Sequence, residues 1–341
     1  MTTAFSSTNS PATARFWRVR VGGMDHEQMI DLHAFFPSEI VIHAGDSILF
    51  EFPTPPRFHT VTFLPSDRAL PLLVDGETAR AEMACPLIVN PAVAFPGGGM
   101  VCDGVQVINS GLDVVRVPED PPFVITFRAP GRYDYRSLPH GTVMRGVVHV
   151  LATAAALPED EAGAEARGAL ERATLLATGP AITTMHAAPR AMSCADGSTL
   201  WEIAAGAGDD QARILRFLPA TLEIKAGDTV RWINHSRSEP HTVTFLGAGA
   251  EQPEDIRIEA DSAGLPRLVQ NPLTFFPQGD RRYRGEGLTN SGFLGEIDGQ
   301  LLPGGFHYDL TFDAPGVYPY YSVLHGAGPA GPGMTGTIIV S

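Results

Sequence analysis

Apolar and polar positions along this chain alternate in short runs, with a period of two rather than a helical period. Phe16–Val21, Glu39–His43, Ser47–Phe52, His59–Leu64, Phe123–Phe127, Gly131–Tyr135 and Gly146–Leu151 read as strands, each bounded by Gly, Pro, Asn or Asp. A second series follows: Leu200–Ala204, Leu222–Lys225, Thr229–Ile233, His241–Leu246, His307–Phe312, Gly316–Tyr321 and Gly336–Val340. Seven or more short strands at this spacing predict an all-β architecture of the Greek-key sandwich type. The stretches Ser66–Gly104 and Gly247–Gly287 read as long, turn-rich connections, and residues 1–15 as a frayed polar end. One segment departs from the pattern. Pro158-Glu-Asp-Glu161 has the proline and acids of a helix start. Ala162, Ala166, Ala169, Ala173 and Leu176 then recur at helical spacing, and Gly179-Pro180 is expected to end the helix.

The two strand series are copies of each other. His59-Thr-Val-Thr-Phe-Leu64 returns unchanged as His241-Thr-Val-Thr-Phe-Leu246. Ala44-Gly45-Asp46 returns as Ala226-Gly227-Asp228, Asn109-Ser110-Gly111 as Asn290-Ser291-Gly292, and Ala129-Pro130-Gly131 as Ala314-Pro315-Gly316. A repeat of this length predicts two homologous domains, at 16–151 and 199–341, with 152–198 a linker carrying a helix over about 158–177. Composition agrees: 36 glycines and 29 prolines imply many turns, and 44% apolar with 18% charged residues is ordinary for a packed globular protein. A net charge of −14 argues against nucleic acid or an anionic membrane as partner, leaving a protein partner open. No run is long and apolar enough to span a bilayer. The first residues lack the basic start and apolar core of a secretory signal, so a cytoplasmic location is expected if Met1 is the native start.

Each copy closes on a chemically pointed segment. Tyr133-Asp-Tyr-Arg-Ser137-Leu-Pro-His140 is followed by Met144, and Tyr318-Pro-Tyr-Tyr-Ser322-Val-Leu-His325 by Met334. Alternation puts His59 on the core side with Val61 and Phe63, and His241 with Val243 and Phe245. A distant histidine, a loop histidine and a loop methionine can converge at one pole of a sandwich, and imidazole with thioether suits copper, Cu(I) especially.

On these residues each copy resembles the blue-copper cupredoxins of the plastocyanin–amicyanin–auracyanin kind: an early His, then Cys-x-x-His, then a Met before a Gly-x-x-x-Val strand. Pro37–Asp46, Pro219–Asp228 and Pro240-His-Thr-Val243 are similar to that family too. The resemblance implies two cupredoxin-like β-sandwich domains joined by a short helical linker. It implies copper, one per domain, at His59/His140/Met144 and His241/His325/Met334. It departs where the family has its thiolate, because Ser137 and Ser322 stand there. A hydroxyl is neutral and hard and supplies neither the colour nor the tuning of a Cu–thiolate bond. Family members of this kind are usually exported.

The alternatives are a colourless His-His-Met copper site, a metal-free pole with hydrogen-bonded histidines, or a thiol recruited from elsewhere. Cys102 is the candidate thiol, in a loop read as mobile; Cys85 lies near enough to bridge it, and Cys194 stands apart. His26, His33, His43, His149, His186, His235 and His307 have no partnered spacing and read as surface or structural. Arg281–Arg284 is a basic patch expected to pair with local acids such as Glu286. The expected function is copper holding rather than fast electron transfer, with a metal-free tandem interaction module as the rival and an electron carrier behind both. An enzyme is not expected, since no His-x-His pair and no site cysteine are present.

Overall fold

The computed structural model describes residues 14–65, 68–75, 87–141, 143–236, 239–297 and 299–341. Most of the polar N-terminal stretch and Cys85 lie outside the described residues. The fold is all-β: two Greek-key sandwiches joined by a helical linker. In the first, Phe16–Asp25 lies parallel to Ser47–Glu51, which pairs antiparallel with Phe123–Phe127. The facing sheet runs Glu39–His43, Arg145–Leu151, Gly131–Arg136, Thr62–Phe63, Ile108–Ser110. Trp17, Phe35, Phe50, Phe127 and Tyr135 fill the space between. The second sandwich repeats the plan with Thr199–Gly208 parallel to Thr229–Ile233, and Gly316–Gly326 against Gly333–Val340. Its core is Phe217, Trp232, Phe245, Phe312 and Tyr320.

The repeated Ala-Gly-Asp explains itself in this frame. Asp46 is buried at the turn and accepts the Trp17 indole N–H at 3.0 Å, the Arg15 N–H at 2.9 Å and the His43 N–H at 3.0 Å. Asp228 does the same for Trp201, Thr199 and Lys225. One carboxylate thus ties the first strand of each sandwich to its neighbouring turn, in hydrogen bonds strengthened by its charge.

Two strands that alternation did not disclose join the domains. Ile30–Phe36 is buried at every position, and Ala212–Leu218 at all but Arg216. A strand covered on both faces reads as a continuous run, without the period-two signal. They pair antiparallel, with Leu32 opposite Ala212 and Asp31 opposite Arg213, so one 11-stranded sheet passes through both sandwiches. The supposed turn-rich connections also contain a shared sheet, in which Leu268 of the second copy pairs with Val89 of the first.

The helix runs Glu161–Leu176, with the Asp160 side chain accepting the Gly163 N–H at its start. It ends ahead of Gly179-Pro180, as expected, and that dipeptide then opens a second helix, Gly179–His186, where proline suits the first turn. Leu175, Leu176 and Ile182 pack on Ile30, Leu32, Ala204 and Ile214, so the linker covers the seam between the domains rather than spanning a gap. A short strand within the linker, Arg190–Ser193, adds to the second domain. Among the described residues no helix is long and apolar enough to cross a membrane.

The first helix approaches closely at Gly168, where a Cβ would stand 2.7 Å from Pro37 N and 2.8 Å from Phe36 C. Intrinsic propensity favours alanine over glycine in a helix by about 1 kcal/mol. Against rigid backbone, overpacking costs more, about 1–3 kcal/mol. Gly168→Ala is therefore expected to lower the melting midpoint; a rise would show that the helix is free to lift off the seam.

Candidate metal centre

The repeated His-Thr-Val-Thr-Phe segment builds each pole from both faces of one strand. Val61 and Phe63 enter the core, as do Val243 and Phe245. The threonines turn the other way and hold loops. Thr60 Oγ1 accepts the Leu138 N–H at 2.9 Å and Thr242 Oγ1 the Val323 N–H at 2.8 Å, which fastens the loops carrying His140 and His325. Thr62 donates to Asn109 Oδ1 and Thr244 to Asn290 Oδ1. The paired ladder itself is shorter than expected, Thr62–Phe63 and Thr244–Leu246, so the two histidines precede it.

His59 and His241 are fully buried, each seated on a glycine in a bulge of its domain's first strand. Gly22 (φ 63°) and Gly206 (φ 77°) hold left-handed backbone, and a Cβ on either would collide with the Nε2 of its histidine. His59 Nδ1 lies 3.3 Å from His140 Nδ1, and Ser137 Oγ lies 3.4 Å from that same nitrogen while accepting the Thr60 N–H at 3.2 Å. In the second domain the rings of His241 and His325 are 5.0 Å apart, as are those of His59 and His140. His241 Nε2 contacts Ser236 Oγ at 3.1 Å, and His325 Nε2 meets Glu239 Oε1 at 2.8 Å. Both Nδ1 atoms are buried with no hydrogen-bond partner among the described residues. Ser322 Oγ accepts the Thr242 N–H at 3.2 Å. Met144 and Met334 are fully buried members of the two cores.

Two residues join this constellation that sequence spacing did not disclose. His33, expected at the surface or in a structural role, is 1% exposed; its ring centroid lies 3.9 Å from that of His140, the planes tilted by 41°. Glu239, also buried, comes from the other domain: its Oε2 lies 3.2 Å from His33 Nε2 and 3.6 Å from His140 Nε2. The two poles therefore face each other across one carboxylate. A faint signal existed in the repeat, because two positions before the strand histidine one copy has Arg57 and the other Glu239. Asn234 fixes that loop by donating to the carbonyls of Glu239 and Leu294, both at 2.8 Å. A cavity of about 420 Å³, walled by Leu72, Val89 and Leu268, reaches His140, Glu239 and His325.

Burial holds His33 and His59 well below the usual histidine range, with His140 adding to the effect, and depresses His241 to about 3. Burial alone would raise the Glu239 carboxyl, but the facing imidazoles of His140, His325 and His33 outweigh it and keep it ionised. Asp31, buried beside this group, is pushed up to about 8.

The remaining candidates fall elsewhere. Cys102 sits in a strand paired with Phe123–Phe127, packed in the first core, rather than in a mobile loop. Burial raises its thiol to about 11. Cys194 is exposed. Arg282 and Arg284 pair with Asp313, not Glu286, and Arg281 lies over the Tyr308 ring.

Residues 203–341 match the family model of the copper binding proteins of the plastocyanin/azurin family. Among solved structures, pseudoazurin from Hyphomicrobium denitrificans is 18% identical over 40% of this chain and 75% of its own, with a TM-score of 0.22. Pseudoazurin from Methylobacterium extorquens is 16% identical over 47% and 99%, with a TM-score of 0.23. A Cu(I) amicyanin variant is 20% identical over 43% and 85%, with a TM-score of 0.20. The protein is cupredoxin-like.

The buried neutral histidines make the metal-free protein acid-sensitive. Their folded-state values lie below the unfolded value near 6.5, so the unfolded chain takes up more protons and stability falls as pH drops below 6.5. Asp31, raised by burial, acts in the opposite direction over the same window, and Asp113 and Asp255 share its sign. Three depressed histidines oppose these acids, and the net effect between pH 6.5 and 5 is destabilising. The melting midpoint of metal-free protein should fall over that interval; a flat profile would mean that these rings are already charged or hydrated.

Proposed function

We propose that this protein holds copper at its two poles without forming a blue centre. The carrying observation is the pair His241 and His325: each ring is anchored through Nε2, and each leaves a buried Nδ1 without a partner. A buried polar atom without a partner costs about 1–3 kcal/mol, and a neutral imidazole nitrogen so placed is a metal donor in waiting. His59 and His140 supply the corresponding pair in the first domain, their Nδ1 atoms 3.3 Å apart. Bonds of about 2.0–2.1 Å to a tetrahedral ion separate ligand atoms by about 3.3–3.4 Å.

In this reading His241, His325 and Met334 would hold one ion and His59, His140 and Met144 the other, with Ser322 and Ser137 standing where the family has cysteine. Bound copper would supply one-electron redox chemistry. The protein's own contribution is to exclude water, to fix the tautomers of His241 and His325 through their Nε2 partners, and to offer soft and neutral donors that favour Cu(I). With no thiolate, the reading is holding rather than rapid electron transfer, and no catalysis at the poles. The match of residues 203–341 to a copper-binding family supports the metal.

Copper-loaded protein should retain copper on desalting, show a Cu(II) EPR signal after oxidation, and lack an intense visible band. Ser322→Cys should then create such a band. Loss of all copper on desalting would favour a metal-free module, in which His59 and His140 simply hydrogen-bond to each other.

A further inference from the structure

We propose a separate metal site at the domain junction, formed by His33 Nε2, His140 Nε2 and Glu239 Oε2, with its open position facing the cavity. There it takes a carboxylate oxygen of a small, largely apolar ligand. The site shares the His140 ring with the first pole but uses its opposite nitrogen; a neutral imidazole offers one lone pair, so the two compete for His140, and the site stands even if the poles take no copper.

Three observations converge on it. The donor atoms lie within 4.8 Å of one another, and the two measured separations from Glu239 Oε2, 3.2 Å and 3.6 Å, bracket the spacing a four-coordinate first-row ion needs. His33 Nε2 and Glu239 Oε2 are close yet not directed at each other, and both are buried without a hydrogen bond among the described residues. A buried carboxylate left in that state is costly, and an ion seated among the three groups removes the cost. The other carboxylate oxygen accepts from His325 Nε2 at 2.8 Å, which aims Oε2 at the two imidazoles in the manner of an outer-shell partner. Two imidazoles and one carboxylate make a set that binds divalent first-row ions and leaves a position for an outside ligand.

The cavity indicates what that ligand is. Its walls are mainly aliphatic, and its volume of about 420 Å³ falls within the range of small-molecule sites. Arg57 also lines it, with a buried Nε that has no hydrogen-bond partner among the described residues. Asp31 and Asp255 also line the cavity, and burial pushes both carboxyls up toward the neutral form, so the metal position and the Arg57 guanidinium suit a carboxylate while the aliphatic walls suit an apolar body behind it.

The test uses the full metal-free chain, with zinc as the binding probe and cobalt(II) as the spectroscopic one. Zinc should bind the native protein and raise its melting midpoint. Glu239→Gln and His33→Asn should each weaken that binding at least about tenfold and abolish the midpoint shift, while His241→Asn, which damages only the second pole, should preserve both. Zinc binding that survives Glu239→Gln and His33→Asn overturns the site. The isosteric Glu239→Gln keeps the test valid should His33→Asn fold poorly. Benzoate added to the cobalt(II) form should alter its visible bands; bands that stay unchanged overturn the carboxylate half of the proposal. Copper retention at the second pole, which shares no ligand with this site, is read separately, so loss of either property leaves the other measurable.

Discussion

Everything distinctive about this molecule depends on ten or so hydrogen-bonded residues at the seam. Ile30–Phe36 and Ala212–Leu218 are the second strands of their respective sandwiches, and they pair antiparallel. Backbone bonds from His33 to Gln211 and from Leu215 to Met29, both 2.8 Å, close the ladder beyond its register pairs. Antiparallel pairing of equivalent strands relates the two domains by an approximate two-fold rotation. Each pole is thereby turned toward the other. A carboxylate from one domain can then reach the histidines of its neighbour, which no separate pair of sandwiches permits.

The sandwiches themselves were legible because their strands alternate and their turns are marked by Gly, Pro and Asp. The histidines of the poles were legible for a different reason, since a literal repeat isolated them from the other seven. His33 and Glu239 were not legible. His33 lies in a strand buried on both faces, where hydrophobic alternation vanishes, and Glu239 lies in a loop whose counterpart in the first copy is positively charged. Both owe their roles to the domain–domain pairing, and no local pattern encodes that. The linker's first helix was legible to its end at Leu176, and the second was not, because the same dipeptide that stops one helix can start another.

The departures from symmetry concentrate where the copies meet. Asp31 and His33 in the first domain correspond to Arg213 and Leu215 in the second, judged by the strand positions they oppose. Arg57 corresponds to Glu239. Elsewhere the copies share the same buried devices: a carboxylate under each tryptophan, and an asparagine collecting the carbonyls of each one-turn helix. Scaffold hydrogen bonds are kept in duplicate, while the charges facing the junction have diverged into complementary sets. Such a pattern suits a pair of domains that has come to act as one object with a single interior.

The helices laid over the seam carry that unity into the energetics of the whole chain. Their leucines and isoleucine complete an apolar layer to which both domains contribute, so separating the halves would expose a fresh hydrophobic interior on each. Each sandwich keeps its own core, but its seam face is covered only by the other domain and the helices. Heat absorbed on melting should accordingly appear as one calorimetric peak, with its cooperative unit the entire chain rather than each repeat.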